Sequence, residues 1–428
     1  MRLQHALFTG ALMPLLGEAS SLNFDFPYNA STPIPYTISV DKQFIEETQL
    51  KAKLYRPSPD LKDDSNAEWI EGPPRDTMVT LAKDWANSYD WFEVEDEINS
   101  NFSHFAVTID GPSDWDHPVP LHFVHERSAD PDAIPLLLLH GWPSSHLEWS
   151  KVIKPLVSGN ESSNVTFHIV APDLPGFGFS PAPEYAHLTP SRMGIVFDKL
   201  MKTLGYEKYG VASTDLGWMV GMWMAHDVSE SLIGHFTDFF LMQPNATDLE
   251  RYAQNQTTTE ESAFISSITT WFSTRSSYAT VHSQAPLAIG QAMSDTPVGF
   301  AGWILQLMHP ISSGYAYTSK ETITDALMLW IQGTWGGLRA YKESFDLQPK
   351  AQDFPVTQVP TALTQWGGFI TTGIENFNFL PRDWAERWVN VVYMTRHDSG
   401  GHFPAVAEPD AWAKEVRQFF GGLISGAF

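Results

Sequence analysis

The sequence predicts an α/β protein: a mostly parallel sheet with helices on both faces, a helical insertion, and a separate segment in front. Three observations predict it. Apolar runs end in glycine turns at AIPLLLLHGWPSS and VTFHIVAPDLPGFGFS, as strands buried on both faces do. Helix-compatible stretches such as TPSRMGIVFDKLMKTLG alternate with them, which is the pattern of a parallel sheet. A third run, YGVA, passes through Ser213-Thr214-Asp215-Leu216-Gly217 into WMVGMWMAHDV, a strand, a sharp turn and a helix.

The bulk numbers leave room for this fold. The chain has 428 residues, with 43% hydrophobic and 18% charged, so a large core is available and global disorder is excluded. A net charge of −24 argues against nucleic acid or an anionic membrane as partner. The absence of cysteine excludes thiol catalysis and thiolate metal sites. No internal repeat or low-complexity tract is visible.

Taken in order, residues 1–20 read as a signal peptide: Arg2, an apolar run from Ala6 to Leu16, then small residues from Ala19. The run is short for a bilayer span, which needs about 20 residues. The expected location is the secretory pathway, with anchoring to the endoplasmic reticulum membrane by this segment as the alternative. Six N-x-[ST] sequons, at Asn29, Asn101, Asn160, Asn164, Asn245 and Asn255, are glycosylation candidates and fit that route.

Between Leu22 and about Arg127, DKQFIEETQLKAKLYR and DTMVTLAKDWANSYDWFEVEDEINS each read as an amphipathic helix. HFAVTIDGPSDWDHPVPLHFVHERS alternates like a hairpin. This segment is expected to pack outside the sheet. After the elbow, from about Asn245 to Phe345, the chain is helical and rich in Trp, Tyr and Met, as a cap over Asp215 would be. The strand WVNVVYM, a glycine-rich loop and a helix close the chain.

The chemistry concentrates in the turns. The elbow has the small-x-nucleophile-x-small layout, with Asp215 where many hydrolases place serine. A turn or N-cap aspartate is the plain alternative. The strand before it and the helix after it favour the nucleophile. HGWPSS, His140 to Ser145, can aim a backbone N–H at that point. His402, in RHDSGGHFPAVAEPD, follows a late strand, as the general base of such a site does; His397 is the weaker candidate. The acid that would orient His402 is open among Glu375, Asp383, Asp353 and Asp346. There is no HExxH, and GFGFS lacks the third glycine of a dinucleotide fingerprint, so neither metal nor cofactor is expected.

LLLLHGWPSSHLEW, APDLPGFGFS, SDTPVGFAGWI and GGHFPAVAEPD, with LHFVHERS ahead of them, together resemble the microsomal-type epoxide hydrolases. The resemblance covers nearly all of the chain after the signal-like segment. It implies the α/β-hydrolase fold, with an epoxide-hydrolase N-terminal domain over 22–128 and a hydrolase domain over 129–428 carrying a helical lid at about 245–345. It implies an epoxide hydrolase acting on a small hydrophobic epoxide without cofactor, and it is compatible with a homodimer. Position by position, it implies Asp215 as nucleophile, His402 as base and Glu375 as charge-relay acid. Tyr278 and Tyr341 match the proton donors to the epoxide oxygen, and Trp142 and Leu216 the oxyanion hole.

The chain departs from that pattern in two places. The elbow reads Ser-Thr-Asp-Leu-Gly where the family has Gly-Gly-Asp-Trp-Gly, and a β-branched Thr214 is expected to strain the turn. A one-residue offset precedes Pro381-Arg382-Asp383-Trp384. Two other readings stay open on the sequence: an epoxide-opening cyclase in natural-product biosynthesis, and a catalytically dead secreted binding protein.

Overall fold

The computed structural model describes residues 22–66, 69–159, 165–346 and 354–428. The signal-like segment, Asn160, Asn164 and Asp353 lie outside the described residues. Among the described residues nine strands form one sheet: β1 (Ile34–Pro35), β2 (His104–Asp110), β3 (Pro118–Glu126), β4 (Ile134–Leu139), β5 (Phe167–Pro172), β6 (Tyr209–Ser213), β7 (Leu232–Thr237), β8 (Pro360–Trp366) and β9 (Asn390–His397). Their order is β1-β2-β3-β5-β4-β6-β7-β8-β9. From β5 through β9 all neighbours are parallel, while β1, β2 and β3 join antiparallel.

Burial explains this division. β5 and β6 are buried at every residue, and β4 at all but one, because helices cover both faces. β2 is less completely buried, with Phe105 and Thr108 half-buried and Asp110 exposed. The hairpin read from the sequence is therefore present, but it does not pack outside the sheet. It pairs β3 with β5 and extends the sheet. Its helices do pack on the rest of the molecule, with Met78, Leu81, Trp85, Trp91 and Val94 in the main core.

The helix at Lys42–Lys53 begins where Asp41 accepts from the N–H groups of Gln43 and Phe44. The next stretch is two helices rather than one, Arg75–Asn87 and Trp91–Asn101. Asp90 caps the second by accepting from Phe92 N–H, and such a cap favours a fresh start over continuation. On the far face of the sheet, the closing helix Pro409–Ser425 buries Trp412, Val416, Phe419 and Phe420 against Phe167, Ala212 and Phe236.

Among the described residues, seven α-helices lie between β7 and β8, from Ala246–Ala253 to Trp335–Tyr341, including Thr259–Thr274 and Ser277–Gln284. Three of the seven start on capping boxes, Asn245 with Asp248, Thr258 with Glu261 and Thr318 with Glu321. Parallel pairing brings the C-terminal ends of β4, β6, β7, β8 and β9 to one edge. The loops holding His140, Asp215, Glu375 and His402 all leave from that edge. Among the described residues, no helix is long and apolar enough to cross a membrane.

Candidate active site

The elbow is strained at the expected place but at one residue only. Asp215 has φ +47°, a left-handed conformation that costs a non-glycine residue of order 1 kcal/mol or more. Thr214 has φ −140° and ψ 161°, the extended region that β-branched residues favour, so it does not strain the turn as expected. Close approach accounts for Gly217: a Cβ there would stand 2.3 Å from the Leu139 carbonyl oxygen. Gly217→Ala is therefore expected to displace the elbow, at a cost of about 1–3 kcal/mol. Thermal denaturation should show a lowered Tm, and an unchanged Tm would contradict this packing.

The HGWP loop holds the carboxylate from the other side. Trp142 N–H donates to Asp215 Oδ1 at 2.8 Å. Leu216 sits in the first helical turn, where backbone N–H groups have no intrahelical acceptor, and it lines the same cavity. His140 fixes the loop. Burial holds its pKa down to about 4, so the ring is neutral. Its Nε2 accepts from Leu174 N–H at 3.0 Å, which leaves Nδ1 to donate to the Gly141 carbonyl.

With Oδ1 pinned, Oδ2 is the free oxygen of Asp215. His402 Nε2 lies 3.6 Å from it. Both residues line a cavity of about 310 Å³, together with Trp142, Leu216, Tyr278 and Tyr341. Its remaining walls are largely apolar, including Trp271, Leu307, Ile311, Phe345, Phe369 and Phe377. Tyr278 stacks on Trp142 with ring centroids 5.5 Å apart, and Tyr341 meets Tyr278 edge-on at 5.7 Å. Burial first, and then the Asp215 charge, raises the pKa of Tyr278. Burial, the neighbouring Tyr278 and Asp215 do the same for Tyr341. Both phenols are therefore protonated at neutral pH. The Tyr341 hydroxyl is buried and has no hydrogen-bond partner of ordinary geometry.

One residue implied by the resemblance is not brought to this cavity. Glu375 is exposed, and its carboxylate accepts from Gly373 N–H at 3.0 Å rather than approaching His402. Its loop turns apolar side chains inward: Phe369 and Phe377 line the cavity and Ile374 is fully buried. Of the two polar residues between Ile374 and Phe377, Glu375 is left facing water and Asn376 is half-buried. Asp383 is also exposed and borders a separate polar cleft with Arg251, Arg387 and Arg396. His397 stacks on Trp366 and faces Glu415, away from the cavity.

Sequence reasoning missed three buried residues here. His282 packs against Trp142, Tyr278 and Tyr341 and accepts from Trp303 Nε1 at 3.0 Å. Its signal was the i, i+4 spacing from Tyr278. Glu148 and Asp238 are buried at 4% exposure each. Asp238 is legible as an acid that ends the strand next after the elbow.

Among the described residues, one group has metal-ligand chemistry: His122, His146 and Asp173, with ligand atoms within 4.8 Å of one another. Asp173 is already saturated. It accepts from His146 N–H and Nδ1 at 2.8 and 2.9 Å, His122 Nδ1 at 2.7 Å and Phe179 N–H at 3.0 Å. This knot braces the loop below the cavity; Nε2 of His146 is buried and has no hydrogen-bond partner.

The site can be compared with known proteins. The family model described as epoxide hydrolase N terminus matches residues 33–149, and that of the alpha/beta hydrolase fold matches 134–276. The chain is 26% identical over 409 residues to the juvenile hormone epoxide hydrolase of Manduca sexta, covering 89% of this chain and 84% of that one. It is 24% identical over 426 residues to epoxide hydrolase 1 of Sus scrofa, covering 91% and 88%. The solved structure of Aspergillus niger epoxide hydrolase superposes with a TM-score of 0.78 at 22% identity, over 94% of this chain and 100% of that one. That likeness shows the shared fold.

Proposed function

The chain belongs to the microsomal-type epoxide hydrolase family and is an enzyme of it, and from that premise we propose that it opens a small hydrophobic epoxide to a vicinal diol through an ester on Asp215. The observation that carries this reading is the division of labour within one carboxylate. Oδ1 is held by Trp142 N–H, and Oδ2 is free toward an apolar cavity that also holds His402 and two neutral phenols.

An epoxide carbon is saturated, so attack on it is a displacement. Asp215 Oδ2 forms the new bond to carbon while the strained C–O bond breaks. The ring oxygen takes a proton from Tyr278 or Tyr341, which meets the charge as it develops. The product of this step is a hydroxyalkyl ester. His402 then deprotonates a water that adds to the Asp215 carbonyl carbon, a covalent route in two stages. Oδ1 carries the oxyanion, and the N–H groups of Trp142 and Leu216 stabilise it. Collapse expels the diol and restores the carboxylate. The proton set free in ester hydrolysis returns to the phenol, so the cycle balances. Serine in place of Asp215 would give an ether, which has no carbonyl for water to attack.

A substrate hydroxyl in place of water would give a cyclised product from the same site. Turnover of an epoxide panel in oxygen-18 water separates the two outcomes, with Asp215→Ala as an inactive control. Under many turnovers a labelled diol is expected. An unlabelled cyclic ether, or full activity in Asp215→Ala, would contradict the proposal.

We further propose, from the signal-like segment and the sequons, that the chain enters the secretory pathway. Asn29, Asn101, Asn245 and Asn255 are exposed, which supports glycan attachment. Endoglycosidase treatment of protein from a eukaryotic host should lower its mass, and an unchanged mass would contradict this route.

A further inference from the structure

We infer that Asp238, at the end of β7, is the positioning acid for His402, the role that the family resemblance assigns to Glu375. The inference deepens the function proposed above and rests on it.

Strand register puts Asp238 in place. Parallel pairing of β6 with β7 sets Ser213 beside Thr237. The next residues, Thr214 and Asp238, are then neighbours at a strand spacing of about 4.8 Å, and Asp215 follows at once. Asp238 thus leaves the sheet beside the nucleophile, at the edge where His402 arrives. Phe239, the next residue, lies edge-on to the His402 ring with centroids 5.2 Å apart. His402 turns Nε2 toward Asp215, so Nδ1 is the nitrogen left for an orienting acceptor.

The carboxylate of Asp238 is half committed. Trp412 Nε1 donates to Oδ2 at 2.6 Å, and Trp412 is itself fully buried, so the plane of the carboxylate is fixed. Oδ1 is buried, with the Thr214 hydroxyl nearby but no hydrogen bond of ordinary geometry. A buried, unpaired carboxylate oxygen is costly and calls for a role. The imidazole and Oδ1 do not close a hydrogen bond in this structure, and catalytic hydrogen bonds commonly tighten only in the substrate complex.

Electrostatics agree with the geometry. Burial pushes the Asp238 carboxyl up to about 6, against Thr214, Trp412 and the His402 charge, which favour its ionised form. It is therefore ionised near neutral pH. The other buried acid nearby is Glu148. Burial and the charge of Asp238 push its carboxyl well above its ordinary value, which disfavours the charge needed to balance an imidazolium. Two acids driven apart in this way take different roles. Glu375 is exposed and accepts from Gly373 N–H instead.

The test separates the two chemical steps in Asp238→Asn, Asp238→Glu and Glu375→Gln. Rapid quench follows ester formation on Asp215, single-turnover decay follows its hydrolysis, and thermal denaturation controls for folding. Asp238→Asn should form the ester within about threefold of the parent rate and hydrolyse it at least about a hundredfold more slowly, since His402 loses its orientation and its counter-charge. Asp238→Glu should regain part of that loss. Glu375→Gln should match the parent in both steps. If the Asn variant does not fold, the Glu variant carries the test: it keeps the charge on a longer arm, and only ester hydrolysis should slow. Unchanged ester hydrolysis in a folded Asp238 variant, or ester accumulation in Glu375→Gln instead, would overturn the inference and leave the Asp215 mechanism standing. The absence of any ester in parent and variants would overturn that mechanism itself.

Discussion

With both cavity phenols removed, as Tyr278→Phe with Tyr341→Phe, ester formation on Asp215 is expected to fall by at least about a thousandfold. Loss of one donor to a developing oxyanion typically costs a factor of about 10²–10³. The two losses need not multiply, because either hydroxyl can partly cover for the other. Each single variant is therefore expected to lose about a hundredfold or less. The alternative role for these residues is ordinary aromatic packing, and it predicts something else. A Phe ring keeps the stack on Trp142 and the edge contact between the two rings, so packing alone would leave the rate unchanged. Folding should survive the change. The two hydroxyls interact with each other, and deleting both together leaves neither one behind unpaired, which is close to neutral. Rapid quench of ester formation, with binding of an unreactive epoxide analogue as a control, checks the prediction. An unchanged rate in the double variant would mean that neither phenol is the acid.

His402→Gln is expected to abolish turnover and spare the first step. Displacement at the epoxide carbon uses Asp215 Oδ2 and a phenol, and needs no base. Ester hydrolysis needs one, and Gln offers none. Turnover should fall by at least about a thousandfold, in line with losses at other His-dependent acyl sites. Intact-mass measurement should then show protein heavier by one substrate. His402 is 7% exposed and packs edge-on against both Phe239 and Phe403, so Gln leaves some space behind. A folding control is needed, and the mass gain serves as one, because only an intact elbow can make the ester. A variant that turns over at the parent rate would remove His402 from the mechanism.

The residues that could be placed from sequence share one property. Asp215, Trp142 and His402 each lie on a turn directly after a strand, and a strand's end at the sheet edge follows from the parallel pattern alone. Tyr278 and Tyr341 came instead from resemblance, because nothing in helical spacing tells a cavity tyrosine from a packed one. Glu375 failed for a local reason. Its loop has three apolar residues, Phe369, Ile374 and Phe377, competing for the interior, and burying them turns the glutamate out. Asp238 was missed although its position obeys the same strand-end rule as Asp215. The register that sets it beside Thr214 is a tertiary fact, which the strand's own sequence does not carry. The hairpin at His104–Glu126 was legible as a hairpin, but its pairing with β5 was not, since a strand's neighbour is not written in its own alternation. The split at Ser88–Asp90 was visible as an aspartate three residues after Asn87, but the apolar pattern of one long helix hid it.

The central claim is that an oxygen of Asp215, not of water, becomes bonded to the substrate. A single turnover in oxygen-18 water, with enzyme in excess over epoxide, tests it most directly. If Asp215 Oδ2 attacks carbon and water then cleaves the acyl–oxygen bond, the first diol carries an oxygen from the protein and the label stays in the Asp215 carboxylate. The predicted result is an unlabelled diol, with a two-dalton gain on the peptide that contains Asp215. A labelled diol and an unlabelled peptide in that first turnover would mean that water attacks the epoxide directly, and would contradict the account.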